Sequence, residues 1–266
     1  MSTLDEISLE ALFLISVTLM LVCLECGFRV GSRPGLNAVK AQASQVRTIM
    51  GAALALAAFM LAFAFTIAQE HYEVRVQNMV EEARIARRAF LTTDFLPSAQ
   101  QREAQKILHD YVEERVSVSS RVDAEGREAI DGILVRSNLA QARLLELAAE
   151  RKPESPVEAS EFEEIVFSLM DIQSLRMQAT FMNRISGVMW AMLFVVAGLS
   201  MVITGYQGGL IGRRSPLATI SLSIAFSGVL ALVLDLDRPF MSLFHIDGQI
   251  MLDLLVQIQE QLSLNG

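Results

Sequence analysis

Three stretches free of charge constrain this chain more than anything else in it: Ile49 to Ala68, Ile185 to Gly212 and Ser215 to Leu234. About 20 apolar residues in helical form cross the roughly 30 Å hydrocarbon core of a bilayer, so each stretch reads as a membrane span. A fourth runs from Ile7 to Phe28, with its uncharged part, Ala11 to Leu24, bracketed by Glu10 and Glu25. A mean hydropathy of +0.40 with 52% hydrophobic residues leaves more apolar surface than one water-soluble core absorbs. The lipid bilayer is therefore the first partner expected.

The competing reading of the first segment is a cleaved signal peptide. Such peptides begin with a basic region and end at small residues, whereas this one begins with Asp5 and Glu6. Lipid attachment at Cys26 fits poorly with Glu25 before it. Cys23 and Cys26 share a helix face, and with His71, His109 and His245 scattered over separate segments no metal site is expected; both cysteines read as buried small apolar residues.

The formal charge of −8 conceals an asymmetry. Arg29, Arg33, Lys40 and Arg47 lie in one short connection without an acid among them, and Arg213 and Arg214 follow the third span. The positive-inside rule makes both loops cytoplasmic and the region between the second and third spans external. That region carries basic residues of its own near the membrane, Arg75, Arg84, Arg87, Arg88, Arg176 and Arg184, which soften the contrast.

From Gln69 to Arg184 the chain holds 15 Lys or Arg and 21 Asp or Glu in 116 residues, with only Gly126 and Gly132 as glycines. Apolar residues recur at three- and four-residue spacing, which predicts helices and no strands. The pattern Tyr72, Val76, Met79, Val80, Ala83, Ala86, Phe90 continues the second span into water as far as Pro97. Helices are predicted over Ser98 to Val122 and Glu125 to Arg151, a loop over Lys152 to Pro156, and a last helix opened by Ser155-Pro156. Its stripe Phe162, Ile165, Val166, Leu169, Ile172 and Leu175 faces the interior of a bundle or an oligomer seam, and no breaker precedes Gly187. The expected fold is an all-α membrane protein with four transmembrane helices, long stalks continuing the second and third, and an inserted helical bundle. The expected parts are 1–68, 69–184, 185–236 and a short C-terminal segment 237–266.

No phosphate loop, nucleophile elbow, zinc-protease motif or ligand cluster is present, so neither enzymatic activity nor a cofactor is expected; nothing points to nucleic acid. The acid pairs Glu81-Glu82, Glu113-Glu114 and Glu163-Glu164 have basic helical neighbours and read as solvated faces. On the second span, Leu56, Phe59 and Phe63 form a large-residue ridge at i, i+3 and i+7 on a helix otherwise built of alanine and glycine. Such a ridge either narrows a pore or meets lipid and bundle neighbours. Glu25 is within reach of Arg29 at i+4. After the fourth span, Asp235, Asp237 and Arg238 crowd against Pro239 at the membrane boundary, a set too poor in oxygens for calcium and better suited to salt bridges.

Phe63-Ala64-Phe65, His71 to Arg75, Val80 to Ala83, Tyr111 to Arg115 and Asp237-Arg238-Pro239-Phe240 together resemble the bestrophin-like family of bacterial and plant membrane proteins. The family is distantly similar to the bestrophins, pentameric anion channels with a phenylalanine neck on the second span. The resemblance implies a homo-oligomer, a pentamer by analogy, in the bacterial inner (plasma) membrane, passing small ions past Leu56, Phe59 and Phe63. The acidic calcium clasp of animal bestrophins is absent, so calcium gating is not implied. The resemblance implies a cytoplasmic bundle, against the external one that the basic loops predict; the charge rule is followed here. The alternative to a channel is a non-conducting sensor or scaffold whose bundle binds a ligand or protein partner.

Overall fold

The computed structural model describes residues 8–33, 43–125, 127–149, 156–212, 214–238 and 249–265. Eight α-helices occur among them: α1 (Leu9–Gly31), α2 (Ala43–Thr92), α3 (Ser98–Glu125), α4 (Arg127–Ala149), α5 (Pro156–Phe181), α6 (Gly187–Ile211), α7 (Pro216–Asp237) and α8 (Gln249–Asn265). Four of the helices are long and apolar enough to cross a membrane: α1, α2, α6 and α7. The all-α membrane architecture read from the sequence is the one observed. The Lys152 to Pro156 connection falls largely outside the described residues.

Two compact units divide the chain. One comprises Met1–Tyr72 and Arg184–Pro239, the other Glu73–Asn183 and Phe240–Gly266. In the membrane unit the hydrophobic interior is shared by Leu12, Met20 and Leu24 of α1, Ala57, Leu61 and Ala64 of α2, Leu193, Ala197 and Met201 of α6, and Phe226, Leu230 and Val233 of α7. Its tightest seam joins α1 to α6. A Cβ at Gly27 would strike the Val202 carbonyl oxygen, one at Gly205 the Leu24 carbonyl oxygen, one at Gly31 that of Tyr206 and one at Gly209 that of Phe28. Glycines spaced by four on both helices thus mesh reciprocally and bring backbone against backbone. Lipid chains are as apolar as leucine, so such van der Waals contact, rather than exclusion from water, drives the association.

Capping sets the ends. Ser8 Oγ accepts from the Ala11 N–H at the start of α1, and Ser186 Oγ from the Met189 N–H at the start of α6, each at 3.3 Å. Gly212 ends α6 with φ of 69°, a left-handed turn that a side chain resists. α2 continues unbroken for 50 residues, then tightens through a 3-10 turn at Thr93–Phe95. Leu96 there is extended, as the residue before a proline must be.

The bundle unit holds the α2 residues from Glu73 onward with α3, α4, α5 and α8. Its core gathers Ala86 and Phe90, Leu108 and Val112, Leu144 and Leu147, Phe162, Val166 and Leu169, and Met251, Leu254 and Ile258. Three sequence expectations need correction. The segment after Pro239, expected as a short tail, contains α8, and its Met251, Leu254, Leu255 and Ile258 complete the bundle core. The expected continuity of the last bundle helix with the third span fails, because α5 stops at Phe181 and α6 restarts at Gly187. The break is held by Asp237, whose Oδ1 accepts from the Ile185 N–H at 3.0 Å, and by the Ser186 cap. Of the α5 stripe, Leu175 is exposed while its other five members are buried.

Candidate functional site

α2 is the least covered of the four spans: 17% of its most apolar window is buried inside the chain, against 28% for α1 and 33% each for α6 and α7. It touches the rest of its unit along Ala57, Leu61, Ala64 and Ala68, and accepts at the Ala53 carbonyl a 3.0 Å bond from Ser200 Oγ of α6. Leu56, Phe59 and Phe63 point away from that seam, 53%, 68% and 53% exposed. Beside them run Gly51, Ala55, Ala58 and Ala62, exposed as well. The span therefore carries two uncovered strips, one of large side chains and one of small.

Asp235, Asp237 and Arg238 come together at the end of α7, and all three are buried, at 1%, 1% and 2% exposure. Besides capping Ile185, Asp237 lies 3.7 Å from His71 Nδ1 of α2 and 4.0 Å from Arg184 Nε. The cluster thereby ties the start of α6, the end of α7 and α2. These partners reach Asp237 from segments distant in sequence, His71 from α2 and Arg184 and Ile185 from just before α6. Glu25 pairs with Arg29 at 2.9 Å, the expected i+4 geometry, and also with Arg214 at 3.5 Å. Cys26 is exposed and Cys23 partly buried, so only the latter approaches the buried role expected of both.

A site the sequence did not single out lies in the bundle. Glu82, expected on a solvated face, has no exposure at all. Tyr111 donates its hydroxyl to Glu82 Oε1 at 2.5 Å, Arg115 Nε stands 3.0 Å from the same oxygen, and Arg176 pairs with Oε2. The Arg115 guanidinium also lies 5.1 Å above the Tyr111 ring. Burial pushes the Arg176 guanidinium down to about 10, which leaves it charged at neutral pH. Three helices are thus locked onto one carboxylate. Nearby in the same core, Gln141 donates to Gln173 at 2.5 Å and Gln173 to Asn138 at 2.9 Å. The doublet Glu81-Glu82 is legible as a charge pair, and the spacing of Glu82 from Met79 and Ala86 puts it on the inward stripe, but nothing local in the sequence names the partners that let a carboxylate stay there.

Among the described residues one group of metal-capable side chains gathers, His109, Asp110 and Glu113 on one turn of α3, their ligand atoms within 4.8 Å of one another. Both carboxylates face solvent.

The bestrophin-like domain pattern matches residues 17–249. The chain belongs to the bestrophin-like family. No curated protein sequence matches it. A crystal structure of a membrane protein superposes with a TM-score of 0.64 at 13% identity, covering 95% of this chain and 97% of that one. At that identity the likeness is one of fold. This bestrophin-like chain and that protein share their helical architecture over nearly their whole lengths.

Proposed function

We propose that this bestrophin-like protein is a homo-oligomeric ion channel of the bacterial inner membrane, selective for anions, with α2 lining its pore. One observation carries the reading: the second span leaves its large ridge and its small strip uncovered side by side. Small residues let neighbouring α2 helices approach closely in a ring, and that approach turns Leu56, Phe59 and Phe63 toward the axis. Rings of such side chains narrow a pore and oppose ions by dewetting. The family's distant kinship with bestrophin channels supports the same reading and the choice of anions.

In this reading the exposed arginines at the α1 and α7 ends lie on the cytoplasmic side, leaving the bundle external. A cysteine at Ser98, in a background lacking Cys23 and Cys26, is then labelled by an impermeant thiol reagent in intact cells. Protection of that position reverses the orientation.

Conduction is tested by chloride and potassium flux in vesicles reconstituted with the purified chain. Phe59→Ala combined with Phe63→Ala removes most of the ridge and raises anion flux above wild type. Flux that stays at background for both proteins, each assembled as a ring, ends the channel reading in favour of a scaffold whose bundle receives a partner.

A further inference from the structure

The described arginines of the membrane unit fall into two kinds. Arg238 is buried and Arg184 sits mostly covered beside Asp237. Arg29, Arg33, Arg47 and Arg214 are exposed, and they share one end of the helices. Arg29 occupies the last turn of α1, Arg33 follows it by one turn, and Arg214 precedes α7. Arg47 lies one turn into α2, whose first residue Ala43 accepts from Gln207 Nε2 near the end of α6 at 3.2 Å. The acid that meets them is Glu25: Arg29 Nε at 2.9 Å and Arg214 Nη2 at 3.5 Å share its Oε1. Among the described residues here, four guanidinium groups stand against one carboxylate, a net charge of +3. The Arg214 guanidinium is stacked 4.1 Å from the centre of the Phe28 ring, which orients it while 63% of its side chain stays exposed; Arg29 is 77% exposed.

Depth decides what such a patch meets. The 23 residues of α1 span about 34 Å, slightly more than the hydrocarbon core, so its last turn lies in the headgroup layer. Val30, which follows Arg29, and Leu217, in the first turn of α7 after Arg214, are 45% and 79% exposed and offer apolar surface at the same end of the helices. Guanidinium forks bind phosphate oxygens in pairs, and polybasic membrane edges attract anionic lipid. We propose that this end of the membrane unit binds an anionic phospholipid, its headgroup phosphate held by Arg29 and Arg214 above Phe28 and its acyl chains along Val30 and Leu217. Glu25 orients both arginines and competes with the phosphate for them. The site is independent of whether the protein conducts.

The test titrates the full-length protein in neutral detergent with phosphatidylglycerol, with phosphatidylcholine and with inorganic phosphate, following the thermal midpoint. Phosphatidylglycerol raises it saturably and the other two do not. Arg29→Gln with Arg214→Gln weakens half-saturation roughly tenfold or more. Glu25→Gln, which removes the competitor and leaves both arginines, tightens it. An equal shift with phosphatidylcholine means general solvation by lipid and overturns the proposal, as does an equal shift with inorganic phosphate, which makes the patch a soluble-anion site. Should the double variant fail to fold by circular dichroism, Glu25→Gln alone decides: unchanged or weaker phosphatidylglycerol binding overturns the site.

Discussion

In the membrane unit the closest approach is between main chains, where Gly27 and Gly31 of α1 mesh with Gly205 and Gly209 of α6, and among the described residues the buried charge lies at the end of α7. In the bundle unit the interior is filled by large side chains such as Phe162, Leu169 and Leu144, and an ionised group, Glu82, sits in its midst. The contrast follows from the solvent. Water drives the bundle's apolar stripes together and rewards volume, so the bundle can also absorb one fully paired carboxylate. Lipid gives leucine no reason to leave it, so the membrane unit gains cohesion from shape: the glycine seam sets the closest approach, Met20, Leu193 and Phe226 fill the space beside it, and other large residues stay on the outer surface. The ridge on α2 is one such group.

The strongest way to break this comparison is to fill the seam. Gly205→Leu places a side chain on the Leu24 backbone and should abolish the monodisperse folded protein in detergent, with Gly205→Ala already lowering its thermal midpoint. Gly228→Ala meets nothing within 4 Å and should be neutral or slightly stabilising, by up to about 1 kcal/mol from helix propensity. If all of these substitutions behave alike, cohesion does not come from backbone contact.

The corresponding test in the bundle is Glu82→Gln. Losing the charge leaves Arg115 and Arg176 facing an amide and should cost about 3 to 5 kcal/mol, read as a fall in the denaturation midpoint of the bundle's helical signal. A change well below 1 kcal/mol would place Glu82 in effective contact with water and remove half of the contrast.

Features governed by local spacing were legible in the sequence. The four spans, the extension of α2 to the turn before Pro97, and the shared face of Leu56, Phe59 and Phe63 follow from hydropathy and a 3.6-residue period, and the structure has the helices there. Features resting on distant partners were not. Tyr111 lies 29 residues from Glu82, and Asp237 reaches Ile185 across 52 residues to end α5 before α6. The four-residue spacing of Gly27 and Gly31, and of Gly205 and Gly209, is plain in the sequence, yet only the packed helices show that the two pairs mesh with each other. α8 was missed for another reason. A short amphipathic segment after a proline cannot be told from a tail until the core that receives Met251 and Ile258 is known.

A smaller effect is expected from Asp237→Asn. The amide oxygen can still accept the Ile185 N–H, so the break between α5 and α6 should survive, while the charge facing His71 and Arg184 is lost. A cost of about 1 to 2 kcal/mol in detergent unfolding is expected. Asp237→Ala, which removes the acceptor too, should cost more. Equal losses would mean that charge rather than capping holds this boundary.

The smallest effect is expected one residue before the largest in the bundle. Glu81 makes the same kind of pair as Glu82, with Arg84 Nε at 2.8 Å and Nη2 at 2.5 Å, but in water, its side chain 42% exposed. The Arg84 hydrogen bond holds the Glu81 carboxyl below its usual range. An acid with a lowered folded value contributes stability that is present above the unfolded value and is lost as pH falls through the folded one. Its contribution at neutral pH is therefore complete, yet screening by solvent makes it slight. Glu81→Gln should leave the denaturation midpoint unresolved from wild type at pH 7. Any residual difference should vanish both in acid below the folded value and in high salt. The loss in Glu82→Gln, made in the dry interior, should persist in the same salt. A Glu81→Gln loss as large and as salt-resistant as that of Glu82→Gln would show that burial does not separate these two neighbours, and the bundle's paired carboxylate would then owe nothing to its exclusion from water.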